Sequence, residues 1–384
     1  MEPPPAPRPP APEVPSTVSQ WRASARDCHV LTKNPSKLEC LHPGSKVTFK
    51  EYLSMRIIRR VSNITEFPDR ETEGRAKEMV KGDEAIQTWL SYIETDQYPT
   101  DRKLGMFALV RQGQLAIVAS DSQEPSQTVE LRRRDRPQAP ELSADTAGRS
   151  PSAAASTAPT EPSTAASSVP TELSTAASRK WVKYARADGE PQVNQFVINL
   201  LNALTLSVGQ GVNCQWSPNG NLFGSVSFRE VQLTAYVDGY LMGVKKSDIF
   251  AIVEVKAGIR DPEQYPLVEW QEGAEMVSWI MNDEENLRRH PFETRLLVSL
   301  NRHEMYLTIA RYHEDYVKFL KGEFQGLKSY PENRFLHLHE YGPWDIGKKS
   351  HMRDLAEIIV RFSLRVKDEQ ARSAVPSGSG PDGA

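Results

Sequence analysis

The sequence predicts an α/β sandwich around a mixed sheet, and three observations carry that prediction. Phe250 to Val253 form an apolar run without a polar face, as in an interior strand covered on both sides. Arg295 to Leu300 and Met305 to Arg311 run or alternate apolar around Asn301-Arg302-His303-Glu304, the pattern of a hairpin. Apolar residues at helical spacing precede, separate and follow these strands. Helix, strands, helix, strands, helix is the order of a layered α/β domain.

In chain order, Met1 to Pro15 is crowded with prolines, and a disordered tail is expected over residues 1–20. A small α/β module of its own is expected over 21–120. Thr48-Phe49-Lys50-Glu51 has capping-box spacing, and Phe49, Leu53, Ile57 and Val61 continue one helical stripe. Met79, Ile86, Trp89, Leu90 and Ile93 predict a second amphipathic helix. Leu104 to Val110 and Leu115 to Ala119, parted by a glycine-containing turn, predict a hairpin.

The segment 121–178 is expected to be a disordered linker. Pro159-Thr-Glu-Pro-Ser-Thr-Ala-Ala-Ser167 recurs as Pro170-Thr-Glu-Leu-Ser-Thr-Ala-Ala-Ser178, and nothing in it offsets the entropy of ordering. The main domain is placed at 179–370. Pro191 suits a helix start, and Val193, Phe196, Val197, Leu200, Leu201 and Leu204 mark that helix's buried face. Phe223 to Phe228, Val231 to Leu241 and Ile249 to Ala257 read as successive strands. Trp270, Ala274, Val277 and Ile280 define a later helix, and Met352 to Val366 the last one. Residues 371–384 are expected to be a disordered tail.

Composition narrows the function. Net charge is −3, whereas a protein that coats nucleic acid nonspecifically carries a marked basic excess. Contacts confined to a cleft remain compatible with that balance. The cysteines, Cys28, Cys40 and Cys214, are too few and too scattered for a disulfide framework or a cysteine zinc cluster. No stretch has the length of apolar sequence that a membrane helix needs, and the start resembles neither a signal nor a transit peptide. An intracellular protein is expected. Arg132-Arg133-Arg134, a solvated run or an import patch, leaves cytoplasm and nucleus both open.

The chemistry concentrates where the apolar strand ends in charge. Alternation along a strand puts Ile252, Glu254 and Lys256 on one face and Val253 and Val255 on the other. Buried charge is normally paired, metal-bound or open to a cleft. With Asp238 on a preceding strand-like segment, Glu254-x-Lys256 makes a cation site with an adjacent ammonium. The competing reading is an ordinary salt bridge between Glu254 and Lys256. His337 and His339, at strand spacing and without a third ligand, read as surface or satisfied core residues. Trp344, in Tyr341-Gly-Pro-Trp344, reads as a packing anchor before a base-stacking platform.

Asp238, the Glu254-Val255-Lys256 tripeptide and a helix beginning Trp270-Gln271-Glu272 resemble the PD-(D/E)XK nuclease superfamily, with its restriction-endonuclease-like fold. Closer still is the resemblance to fungal proteins carrying a PD-(D/E)XK nuclease-like domain. It is carried by Glu190-Pro-Gln-Val-Asn194, Ile252-Val-Glu-Val-Lys256, Gln271-Glu-Gly-Ala-Glu-Met-Val277, Asn301-Arg-His-Glu-Met-Tyr306 and His339-Glu-Tyr-Gly-Pro-Trp-Asp345. It covers Lys180 to Val366. The proline that names the superfamily is absent, and Tyr236-Val237 precede Asp238 instead.

The resemblance implies phosphodiester hydrolysis with Mg²⁺ or Mn²⁺ held by Asp238 and Glu254, and nucleic acid as the partner. It implies that the Val255 carbonyl adds a main-chain ligand and that Lys256 orients water or stabilises developing charge. Glu190 is implied as an auxiliary ligand, with helix capping as its alternative role. Gln271 is implied to hold the lysine, the water or the substrate backbone. The alternative function is a catalytically inactive nuclease-fold protein that acts as a binding module.

Overall fold

The computed structural model describes residues 12–95, 97–122, 189–218, 225–244, 248–260, 267–283, 295–324 and 329–374. The expected linker falls outside them, apart from residues 121 and 122. So do Arg132 to Arg134, most of the proline-rich start and the last ten residues.

The frame is a mixed seven-stranded sheet with helices on both faces, so the expected α/β sandwich holds. Its strands are β1 (Ile57–Val61), β2 (Gln215–Ser217), β5 (Gly239–Met242), β6 (Ile249–Lys256), β7 (Arg295–Asn301), β8 (Glu304–Arg311) and β9 (Leu336–Asp345). They lie in the order β1-β9-β8-β7-β6-β5-β2. The pairs β1–β9 and β6–β7 are parallel and the rest antiparallel. β3 (Ser225–Phe228) and β4 (Val231–Thr234) form a separate hairpin.

Alternation along β6 decides which residues each layer covers. Ala251, Val253 and Val255 pack under one helical layer, and Ile252 under the other. The first layer contains α3 (Arg70–Gly82), α4 (Glu84–Tyr92), α5 (Phe107–Ser122), α6 (Glu190–Leu206) and α9 (Lys349–Ala374). The second contains α2 (Phe49–Ser54), α7 (Leu267–Asn282), α8 (Glu314–Leu320) and the β3–β4 hairpin. α1 (Val18–Asp27) packs Trp21 and Ala25 against Leu53, Ile58 and Phe335. Since β6 and β7 run parallel, the chain must cross over between them, and α7 lies in that crossover.

Several expectations are corrected. The N-terminal residues form no module of their own: β1 pairs with β9 in the common sheet, and α3 packs on α9. α1, capped by Thr17, begins inside the expected tail. The capping box at Thr48 and Glu51 is present, but its helix stops at Ser54. Arg56 takes φ +53°, and the β-branched run beyond it becomes β1. Glycine misled the prediction of a hairpin near residue 113. Gly113 lies inside α5, where a Cβ would stand 3.1 Å from the Phe196 Cβ, so it serves close helix packing rather than a turn. The strand expected over 231–241 is two strands in different sheets. α9 begins before Met352 and continues to Ala374, past both the expected helix end and the start of the expected tail.

The single helix expected over 79–93 is two. Asp83 closes α3 and caps α4, its Oδ1 accepting from Ala85 N and Ile86 N at 2.9 Å each. Asp83→Ala is expected to cost about 1 kcal/mol in urea unfolding. A change below about 0.3 kcal/mol would remove the cap from the account of that break.

Candidate active site

The site lies where β5 begins and β6 ends, against α6 and α7. Gly239 opens β5, and an added Cβ there would meet Ile198 Cδ1 and Ser217 O at 2.8 Å. This close approach fixes the preceding residue, Asp238. Its N–H donates to Val253 O (2.9 Å), and its Oδ2 accepts from Val255 N (2.8 Å). Asn194, one turn after Glu190 on α6, donates from Nδ2 to Asp238 O (2.8 Å). Asp238 is therefore held through both its main chain and its carboxylate.

Glu254 and Lys256 share the α7 face of β6, and the ammonium contacts Glu254 Oε1. Gln271 donates from Nε2 to Glu254 Oε1 (2.6 Å) and to Glu275 Oε1 (2.8 Å). Both partners accept, so the amide nitrogen faces them and uses both of its N–H groups. Glu254 is 2% exposed and Glu275 1%. Each keeps a buried Oε2 without a hydrogen bond.

The electrostatics follow from this packing. Burial, then the neighbouring Glu275 and Asp238 carboxylates, push the Glu254 carboxyl well above its ordinary range against the pull of Lys256. Burial likewise raises Glu275, against the opposing influence of Lys256. For Lys256, burial acts to lower the pKa, but the Glu254, Glu275 and Glu190 carboxylates hold it above normal. Every one of these shifts favours added positive charge.

Four of the predicted residues, Asp238, Glu254, Lys256 and Gln271, thus meet at one place. Glu190 stands near enough to act on Lys256, but it is exposed and hydrogen-bonds none of the four. It is the first residue of α6 and does not cap it: the cap position is Gly189. Among the described residues, no three carboxylate, histidine or cysteine groups are arranged as a ready metal cage. His337 and His339 lie across the sheet, bonded to Glu332 O and Ser62 Oγ, and Trp344 is buried, as a packing anchor would be.

Sequence reasoning missed Asn194 and Glu275 as parts of the site. Their signal is spacing: each lies four residues after a predicted site residue on the same helix, Glu190 or Gln271. It also missed an adjoining buried ionic cluster. Arg59 of β1 contacts Glu272 (2.5 Å) and Glu340, and Arg260 contacts Glu272 and Glu340 at 2.5 Å each. Arg260 also covers the Tyr306 ring at 4.0 Å. Burial opposes ionisation of Glu340, but the two guanidiniums overcome it and hold its pKa at about 2. These partners come from four separated segments, so no local motif announces them.

No family model, curated protein or solved structure matches the chain. Among the described residues, no helix is long and apolar enough to cross a membrane.

Proposed function

We propose that this chain is a metal-dependent nuclease of restriction-endonuclease-like fold that hydrolyses nucleic-acid phosphodiester bonds. The observation that carries the reading is the convergence of Asp238, Glu254 and Lys256 where β5 begins and β6 ends. The finer fold assignment draws support from the order α6, antiparallel β5–β6, crossover α7 and parallel β7.

The donor chemistry fits Mg²⁺ or Mn²⁺. Asp238 and Glu254 offer hard carboxylate oxygens, and Glu254 Oε2 is buried without a hydrogen bond. Glu190, at the start of α6, would be the auxiliary carboxylate. When bound, such a cation neutralises phosphate charge and lowers the pKa of an attacking water. The chain supplies the rest. Lys256 places an ammonium where negative charge develops, and Gln271 holds Glu254 in orientation. The Val255 amide pins Asp238.

A binding module on the same fold is the second reading. It is favoured by the contact that seats Lys256 on a Glu254 only 2% exposed. Cleavage of DNA and RNA, single- and double-stranded, by the full chain with Mn²⁺ separates the two. The nuclease reading expects cleavage that chelation abolishes, and an Mn²⁺-induced rise in Tm that Asp238→Asn reduces. Binding without cleavage would decide for the module. An equal Tm rise in wild type and Asp238→Asn would place the cation elsewhere.

A further inference from the structure

We infer that Glu275 is the third carboxylate of the cation site, presented by α7 opposite Glu254. This inference rests on the cation reading above and adds a ligand to it.

The first argument is a comparison of charge. In the adjoining cluster, Glu269, Glu272 and Glu340 face two guanidiniums, those of Arg59 and Arg260. Glu254 contacts one ammonium, that of Lys256, and among the described residues Glu275 contacts no cationic side chain, only the Gln271 amide. Both glutamates are almost wholly buried, so water does not take the place of a partner. A divalent cation supplies the partner that Glu275 lacks.

The second argument concerns unused oxygens. Gln271 occupies the Oε1 atoms of both glutamates and leaves both Oε2 atoms without a hydrogen bond. A buried acceptor left in this state costs about 1–3 kcal/mol, and more when charged. Ser299 adds an independent sign. It stands beside Glu254 in the β6–β7 register, is 1% exposed, and its hydroxyl has no hydrogen bond. Buried polar atoms with no partner therefore come from β6, β7 and α7 around one point. The arrangement with Lys256 on Glu254 closes that point, and cation entry requires the ammonium to move off.

The rival explanation is a carboxyl pair bridged by the Gln271 amide, with no ligand role for Glu275. Titration calorimetry of the full chain with Mn²⁺, paired with melting curves, decides between them. Glu275→Gln keeps the side-chain volume and replaces a carboxyl oxygen with an amide nitrogen. The inference expects Mn²⁺ to bind this variant at least tenfold more weakly than wild type, while the cation-free Tm holds or rises. Glu275→Asp decides the matter if Glu275→Gln fails to fold, because it keeps the charge and withdraws the oxygen by one methylene; the same tenfold loss is expected. Unchanged Mn²⁺ affinity in the folded variant overturns the role of Glu275 and leaves the cation reading standing. A wild-type chain with no Mn²⁺ binding overturns the cation reading and this inference together.

Discussion

Arg59→Met is expected to destabilise the protein by about 3–5 kcal/mol, because it leaves buried carboxylates short of their cation. Methionine keeps much of the side-chain volume, so the loss isolates charge from packing. Glu272 is fully buried, and among the described residues one of its oxygens has only Arg59 as its ionic partner. Arg260 remains and limits the damage at the other oxygen. The double change Arg59→Met/Glu272→Met should recover a large part of the loss, as replacement of both members of a buried pair does. Acid unfolding gives a second readout. The depressed pKa of Glu340 contributes stability that is present above its ordinary range and lost as pH falls toward about 2. In Arg59→Met that acid limit should move to higher pH. Urea unfolding with a loss under about 1 kcal/mol would show that Arg260 suffices alone.

Lys256→Ala is expected to lower cleavage by about 10²–10³-fold, the range found when one donor to a developing charge is removed. Its effect on stability depends on the cation. Without metal, Glu254 loses its ammonium while 2% exposed, and Tm should fall. With Mn²⁺ present, a positive charge returns to the same carboxylate. The Mn²⁺-induced rise in Tm should therefore be larger in Lys256→Ala than in wild type. Undiminished cleavage by the folded variant would remove Lys256 from the proposed mechanism. A Tm rise no larger than that of wild type would separate Lys256 from the cation.

The central strand and its hairpin partner were legible because their signals are local. β6 needed only an apolar run, and β7–β8 needed only two such runs around a short turn. The convergence of Asp238, Glu254 and Lys256 followed from strand alternation and one resemblance. What escaped depends on partners distant in sequence. Ile57 to Val61 fit a helical stripe by spacing, and only pairing with β9 makes them a strand. Gly113 reads as a turn until Phe196 is seen against it. The ionic role of Arg59 needs β9 and α7 in place before it can be recognised.

The position of β1 has a consequence for how the chain reaches this state. Arg59 and Glu340, which hold the β1 edge to the sheet, lie 281 positions apart. Closing so distant a contact carries a loop entropy that local pairs such as β7–β8 do not meet. During synthesis β1 emerges long before its partner strand exists. Its β-branched residues, with Val61 78% exposed even in the folded protein, then wait as an unpaired strand. The last step of sheet assembly should be the docking of this strand, and the nascent chain is most prone to aggregate in the interval before β9 is made.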